Sequence, residues 1–260
     1  MYDVKTGVVL YLDGRYAEAA RHFYEGAAEG DAEAAFHYGY MLLKGIGVEK
    51  NPAEAKSFFS FAVGYVGEAA YNLAVMHLHG EGVKRDYRKC IEYMTDAADM
   101  DIIEAQLYLG IAYTLGSVFE PDIISISLLP YHTPEFRDPL AVLEGDVPEM
   151  EEDEELRIRA VRFDPRTAFE YFRMAARHGG DYVEELAVQS KYLYARCFLD
   201  GLGTEFNLER ANNLMLLAAA EGSKEAMAYL STEAPYMLDK LDPRRVEAIR
   251  KTERLGGGRK

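Results

Sequence analysis

The sequence predicts an all-α fold: a right-handed α-solenoid of about six helix-turn-helix repeats, interrupted by one long insertion. Three observations predict it. A pair of glycines opens "GIGVEKNPAEAKSFFSFA" (45–62) and returns in "GEGVKRDYRKCIEYMTDA" (80–97) and "GLGTEFNLERANNLMLLA" (201–218). From Gly45 to Gly80 is 35 residues and from Gly80 to Gly116 is 36, a period typical of stacked helical hairpins. Aligning the glycine loops also brings columns of like-sized residues into register. Gly7, Gly39, Ala74, Gly110, Ala195 and Ser231 are all small, as are Ala19, Ala55, Cys90, Ala168 and Ala211. Four places beyond the second column stands a large apolar side chain: Phe23, Phe59, Met94, Phe172 or Met215. Small columns let two helices approach closely, and the large column fills the neighbouring gap.

The elements follow in order. Repeat one, about 1–30, reads "TGVVLYLDGRYAEAARHFYEGAAEGD" and lacks the long glycine loop. Repeat two, about 31–64, places a helix on "EAAFHYGYMLLK" from its apolar spacing, then a second helix opened by Asn51 as N-cap. Pro52 occupies the first helical position, and Glu54 completes a capping box. Repeat three, about 65–100, pairs "EAAYNLAVMHLH" with a helix capped by Asp86. Repeat four, about 101–180, pairs "IEAQLYLGIAYTLG" with "FDPRTAFEYFRMAARHGG", capped by Asp164, with the insertion 117–160 between them. Repeat five, about 181–222, has its first helix extended by about two turns through "GGDYVEELAVQ" and its second capped by Asn207. Residues 223–255 form a capping pair whose second helix starts at Asp242-Pro243, and 256–260 are a flexible tail. The whole of 1–260 is expected to be a single solenoid domain.

Charge and composition exclude several functions. A net charge of −15 argues against nucleic acid and favours a neutral or basic partner over an acidic one. No apolar run is long enough to span a membrane, and no basic stretch followed by an apolar one marks a secretory leader, so a cytoplasmic location is expected. Cys90 and Cys197 stand far apart with no CxxC spacing, which speaks against a disulfide framework or a cysteine-rich zinc site.

The glycine pairs invite a nucleotide reading, but neither GxGxxG nor GxxxxGK[ST] is present and no strand precedes them. They are read as helix-ending corners. His77 and His79, two apart on a helix, point to different sides and do not form a metal pair. No catalytic residue, metal or cofactor is expected.

The stretches "AAFHYGYMLLKGIGVEKNPAEAKSFFSFA" and "EAAYNLAVMHLHGEGVKRDYRKCIEYMTDAA" resemble the Sel-1-like repeat family, a branch of the tetratricopeptide-like superfamily. That resemblance covers nearly all of 31–222. It implies that the first helix of each repeat lines a concave face that takes a peptide or a folded partner. Carried over by column, it points to His37, Tyr40, Asn72, Tyr108 and Arg196 as exposed partner-binding residues. The function it implies is a non-catalytic protein-interaction scaffold or adaptor working along that face.

Two alternatives remain. One is a hydrolase with its site beneath the insertion, where His132 lies. The other is a self-assembling repeat protein. The insertion holds apolar "IISISLL", expected to fold back onto the stack, and an acidic run from Glu144 to Glu155. The basic end, with Arg244, Arg245, Arg250, Lys251, Arg254, Arg259 and Lys260, is a candidate to attract that run within or between molecules.

Overall fold

The structure is a computed structural model that describes residues 3–118, 157, 160–178, 184–241 and 246. These residues form eleven α-helices, one 3₁₀ helix and no strand. In chain order the helices are α1 (Val4–Leu12), α2 (Tyr16–Ala28), α3 (Ala32–Lys44), α4 (Pro52–Ala62), α5 (Gly67–His79) and α6 (Tyr87–Asp99). They continue with α7 (Ile103–Leu115), α8 (Pro165–Ala175), α9 (Glu184–Asp200), α10 (Leu208–Ala220) and α11 (Lys224–Thr232), then the 3₁₀ helix Pro235–Lys240. Two compact units result. Described residues 3–105, 157 and 160 belong to the first, and 106–118, 161–178, 184–241 and 246 to the second. Within each unit the helices pack on their neighbours in sequence, the arrangement of an α-solenoid of helix-turn-helix repeats.

Each predicted N-cap is observed. Asn51 Oδ1 accepts the Glu54 N–H at 3.2 Å, Asp86 accepts from Arg88 and Lys89, Asp164 from Arg166 and Thr167, and Asn207 from Arg210. The capping box differs in one detail. Glu54 takes the Asn51 side-chain amide, with Nδ2 donating to Oε2 at 2.9 Å. The Asn51 backbone N–H is already donated to the Leu42 carbonyl at 2.9 Å. The same pin recurs in the other glycine-loop repeats: Asp86 donates to His77, Asp164 to Tyr113 and Asn207 to Phe198. One backbone bond thus locks the cap of each second helix to the last turn of the first.

The corners are built as the glycine spacing implies. Gly45 ends α3 at φ 72° and donates to Met41, and Gly47 follows at φ 70°. A Cβ on Gly47 would collide with the backbone of Tyr16, the first residue of α2. A Cβ on Gly82 would meet the Pro52 carbonyl carbon, at the start of α4, at 2.5 Å, and one on Gly203 would strike the Pro165 backbone at the start of α8. The second glycine of each pair therefore seats one corner on the second helix of the preceding repeat. Tyr87, the first residue of α6, stands at the same position as Tyr16, Pro52 and Pro165. There it is Arg157, at the returning end of the insertion, that lies over the ring at 5.5 Å and donates Nε to the Tyr87 hydroxyl at 3.3 Å.

The core follows the columns. Phe23, Phe59, Met94, Phe172 and Met215 are buried, as are all members of the Ala19 column. A Cβ on Gly39 would lie 3.0 Å from the Phe59 ring and one on Gly110 2.6 Å from Phe172, and Gly7 is filled the same way by Phe23. Where the large residue is Met94 or Met215 instead, the matching small residue is Ala74 or Ala195. Ser231 departs from its column: it is exposed and its hydroxyl bonds back to the Met227 carbonyl at 2.8 Å.

Helix α9 has 17 residues against 13 in α3, α5 and α7, about one turn more; the rest of the expected extension, 179–183, lies outside the described residues. So do the "IISISLL" segment, the acidic run, the helix expected from Asp242, and the basic tail.

Candidate binding cleft

The open surface of the first unit lies where one repeat hands over to the next. Three links come together there: Gly30-Asp31 between α2 and α3, the 63–66 link between α4 and α5, and Met100–Ile102 between α6 and α7. Gly67 permits the closest of these approaches, since a Cβ there would sit 2.8 Å from the Ile102 side chain. Asp101 adopts φ 63°, the one non-glycine positive φ among the described residues, and so turns the third link. The result is an open cleft of about 1070 Å³.

Its lining is part apolar, part acidic. Tyr65 is 78 % exposed, Phe61 50 % and Met100 37 %. These are large apolar surfaces that the repeat packing leaves outside the core. Asp31, Glu33, Glu68 and Asp101 also line the cleft, and none of the described lining residues is a lysine or arginine. Burial raises the Glu33 carboxyl above its ordinary pKa, with the charges of Asp31 and Glu68 adding to the effect. Glu104, one repeat further along the same column, is raised by burial and then by Glu68. Such mutual repulsion is what neighbouring carboxylates produce.

His37 lines the same cleft but is only 8 % exposed. Its ring sits 4.7 Å from Phe23 and 5.2 Å from Phe36, centroid to centroid. Nε2 is 3.9 Å from Glu33 Oε1, and Nδ1 has no hydrogen-bond partner. Burial lowers the pKa of the ring to about 4, outweighing the charge of Asp31, which acts to raise it. The ring is neutral at pH 7.

The expectation that the five site residues are exposed requires correction. Tyr40, Asn72 and Tyr108 are buried, as is His37. Helices α3, α5 and α7 are covered on nearly every side by their neighbours, so a polar or aromatic residue there faces packed side chains. Asn72 donates Nδ2 to the Glu68 carbonyl at 2.7 Å. Arg196, in the second unit, is half-buried; Nε donates to Asp200 at 3.1 Å and a terminal nitrogen to the Tyr192 hydroxyl at 3.3 Å. His37, Asn72 and Tyr108 share one repeat column, but only His37 reaches the cleft.

Phe61, Tyr65 and Met100 were missed by sequence reasoning. Their signal is that they are large apolar residues outside the repeating columns, in or beside links where polar residues are usual.

Other chemistry is modest. Cys90 and Cys197 are both buried and outside any disulfide, and burial pushes Cys197 up to about 12. His77 packs flat on Tyr93 and pairs Nδ1 with the Lys84 carbonyl, while His79 is exposed. Among the described residues no three His, Cys, Asp or Glu side chains gather as a metal site requires. None of the described helices is long and apolar enough to cross a membrane.

Fold and cleft together define a helical-repeat protein of the α-solenoid class. Residues 32–63, 67–102, 159–180 and 188–223 each match the Sel1 repeat, so the chain carries four Sel1 repeats. Its fold is similar to the crystal structure of a Sel1 repeat protein from Oxalobacter formigenes, at 22 % identity and a TM-score of 0.60, covering 98 % of this chain and 85 % of that one. It is also similar to c5321, a protective antigen of uropathogenic Escherichia coli strains with the same repeat fold. The identity there is 17 % and the TM-score 0.61, over 96 % of this chain and 45 % of that one. No curated protein matches the chain. Sel1-repeat proteins generally mediate protein–protein interaction and are typically non-enzymatic scaffolds.

Proposed function

We propose that this protein is a non-catalytic interaction scaffold that holds a segment of a partner protein, and that the segment docks in the first-unit cleft. The observation that carries this reading is the exposure of Tyr65, Phe61 and Met100 around one open cleft. Clustered aromatic and methionine surface of this kind is what interfaces enrich. The first-helix face suggested by the columns is closed by packing at Tyr40, Asn72 and Tyr108, so His37 is the one column residue kept in the proposed site.

The test is affinity capture from the native cell with the wild-type chain, with Phe61→Ser/Tyr65→Ser, and with residues 117–160 removed. A partner held by the wild type should lose about tenfold or more in affinity on the double substitution, with helical content unchanged. Retention by the double variant and loss on removing 117–160 would move the site to the insertion.

A further inference from the structure

We infer that α1 is a self-association helix, whose outer face meets the same face of a second copy of this chain, antiparallel and centred on Val9. The helix reads "VKTGVVLYL", with five apolar residues in a row from Val8 to Leu12. Five successive residues pass more than once around a helix, so α1 is apolar on every side. That is the pattern of a helix covered all round. Its inner side is covered: Tyr11 is buried with Ala19, Phe23 and Met41, and Val4, Val8 and Leu10 pack at the edge of that cluster. Val9 and Leu12 stand outside it, at 55 % and 57 % exposure. Lys5, Val9 and Leu12 are spaced i, i+4 and i+7, the stripe along which one helix lies against another.

Charge selects a second copy as the occupant. A two-fold contact has to be self-complementary, because each residue that touches another is touched by it in return. Lys5 lies four residues before Val9, and Asp13, which continues the helical turn as C-cap, lies four after it; both are exposed. In an antiparallel pair centred on Val9, each Lys5 stands level with Asp13 of the other copy, about 6 Å along the axis from the centre. Two opposite-charge pairs thus flank an apolar centre of Val9 and Leu12. In a chain of net charge −15, the stretch Val4–Leu12 contains no Asp or Glu, so two copies can approach there with little repulsion. A nine-residue helix offers less than a standard interface, which makes the dimer weak and concentration-dependent.

The experiment is sedimentation of the whole chain from low to high micromolar concentration. The wild type should pass from monomer to dimer, and amide exchange in α1 should slow as the dimer fills. Val9→Ser/Leu12→Ser should weaken the dimer about tenfold or more, with helical content unchanged. Lys5→Glu and Asp13→Lys each put a charge where the helix dipole favours it, so neither harms the monomer. Each should weaken its own homodimer about threefold or more, since like charges are then brought level. An equimolar mixture of these two variants should recover the wild-type affinity, because both crossed pairs are then opposite in sign. Loss of folding could not produce that recovery.

A chain that remains monomeric throughout, or a dimer that Val9→Ser/Leu12→Ser leaves intact, would overturn the inference. A mixture no tighter than its components would rule out the antiparallel pairing about Val9. A monomeric wild type whose thermal midpoint falls on Val9→Ser/Leu12→Ser, at every concentration alike, would assign the cover of this face to another segment of the same chain. None of these outcomes depends on the first-unit cleft, so the scaffold reading stands or falls separately.

Discussion

His37 combines a buried ring with a cleft position, and its titration links the two. The folded ring takes up a proton only near pH 4, against 6.5 for the unperturbed group. Above pH 6.5 folded and unfolded rings are both neutral and the fold is not penalised. As the pH falls from 6.5 toward 4 the unfolded chain gains a proton that the folded chain refuses, and stability drops by up to about 3 kcal/mol. Glu33 and Glu104, whose carboxyls are raised by burial and by neighbouring acids, act in the opposite direction over the acidic range. Urea unfolding of the wild type and of His37→Gln should therefore diverge between pH 7 and 4.5, the wild type losing more. Parallel pH profiles would contradict the assignment. His37 also shows what sequence does not reveal. A histidine, an asparagine and a tyrosine in one column look like a wet face, but whether that face is wet depends on how many helices surround it. Periodicity within one helix carries no such information.

Within the helical hairpin, size is matched across the two columns. Gly39 faces Phe59 and Gly110 faces Phe172, with space for no more than a hydrogen. The repeats with methionine in the large column carry alanine in the small one. Gly110→Ala should lower stability by about 1–3 kcal/mol, less than the overlap alone implies because alanine is the better helix former. Phe172→Met should recover part of that loss. A thermodynamic cycle on the two substitutions tests this: a coupling of about 1 kcal/mol in favour of the pair is expected, and strict additivity would refute the matching. These columns, the corner glycines and the N-caps were legible from sequence because each is a local rule repeated at a fixed period. The links between repeats were not, since Phe61, Tyr65 and Met100 occur once each and follow no column.

Across the molecule, stability should be graded by position in the stack. Helices α3 and α5 have neighbours on both sides and are buried along most of their length, whereas α1 leaves Val9 and Leu12 exposed. A helix with less of its surface buried opens more readily than one closed in by its neighbours. Amide exchange should be slowest in α3 and α5 and faster in α1 by about tenfold or more. Uniform protection through the first unit would mean that it opens all at once.

The place of Arg157 carries a consequence for engineering. Elsewhere a bare glycine roofs the opening residue of the preceding helix, while at Tyr87 a guanidinium from the far end of a long excursion does so. A corner is thus a splice port: foreign sequence can be grafted there if its return leg brings a replacement roof. Grafts chosen for length alone would strip that residue of its cover and loosen two hairpins instead of one.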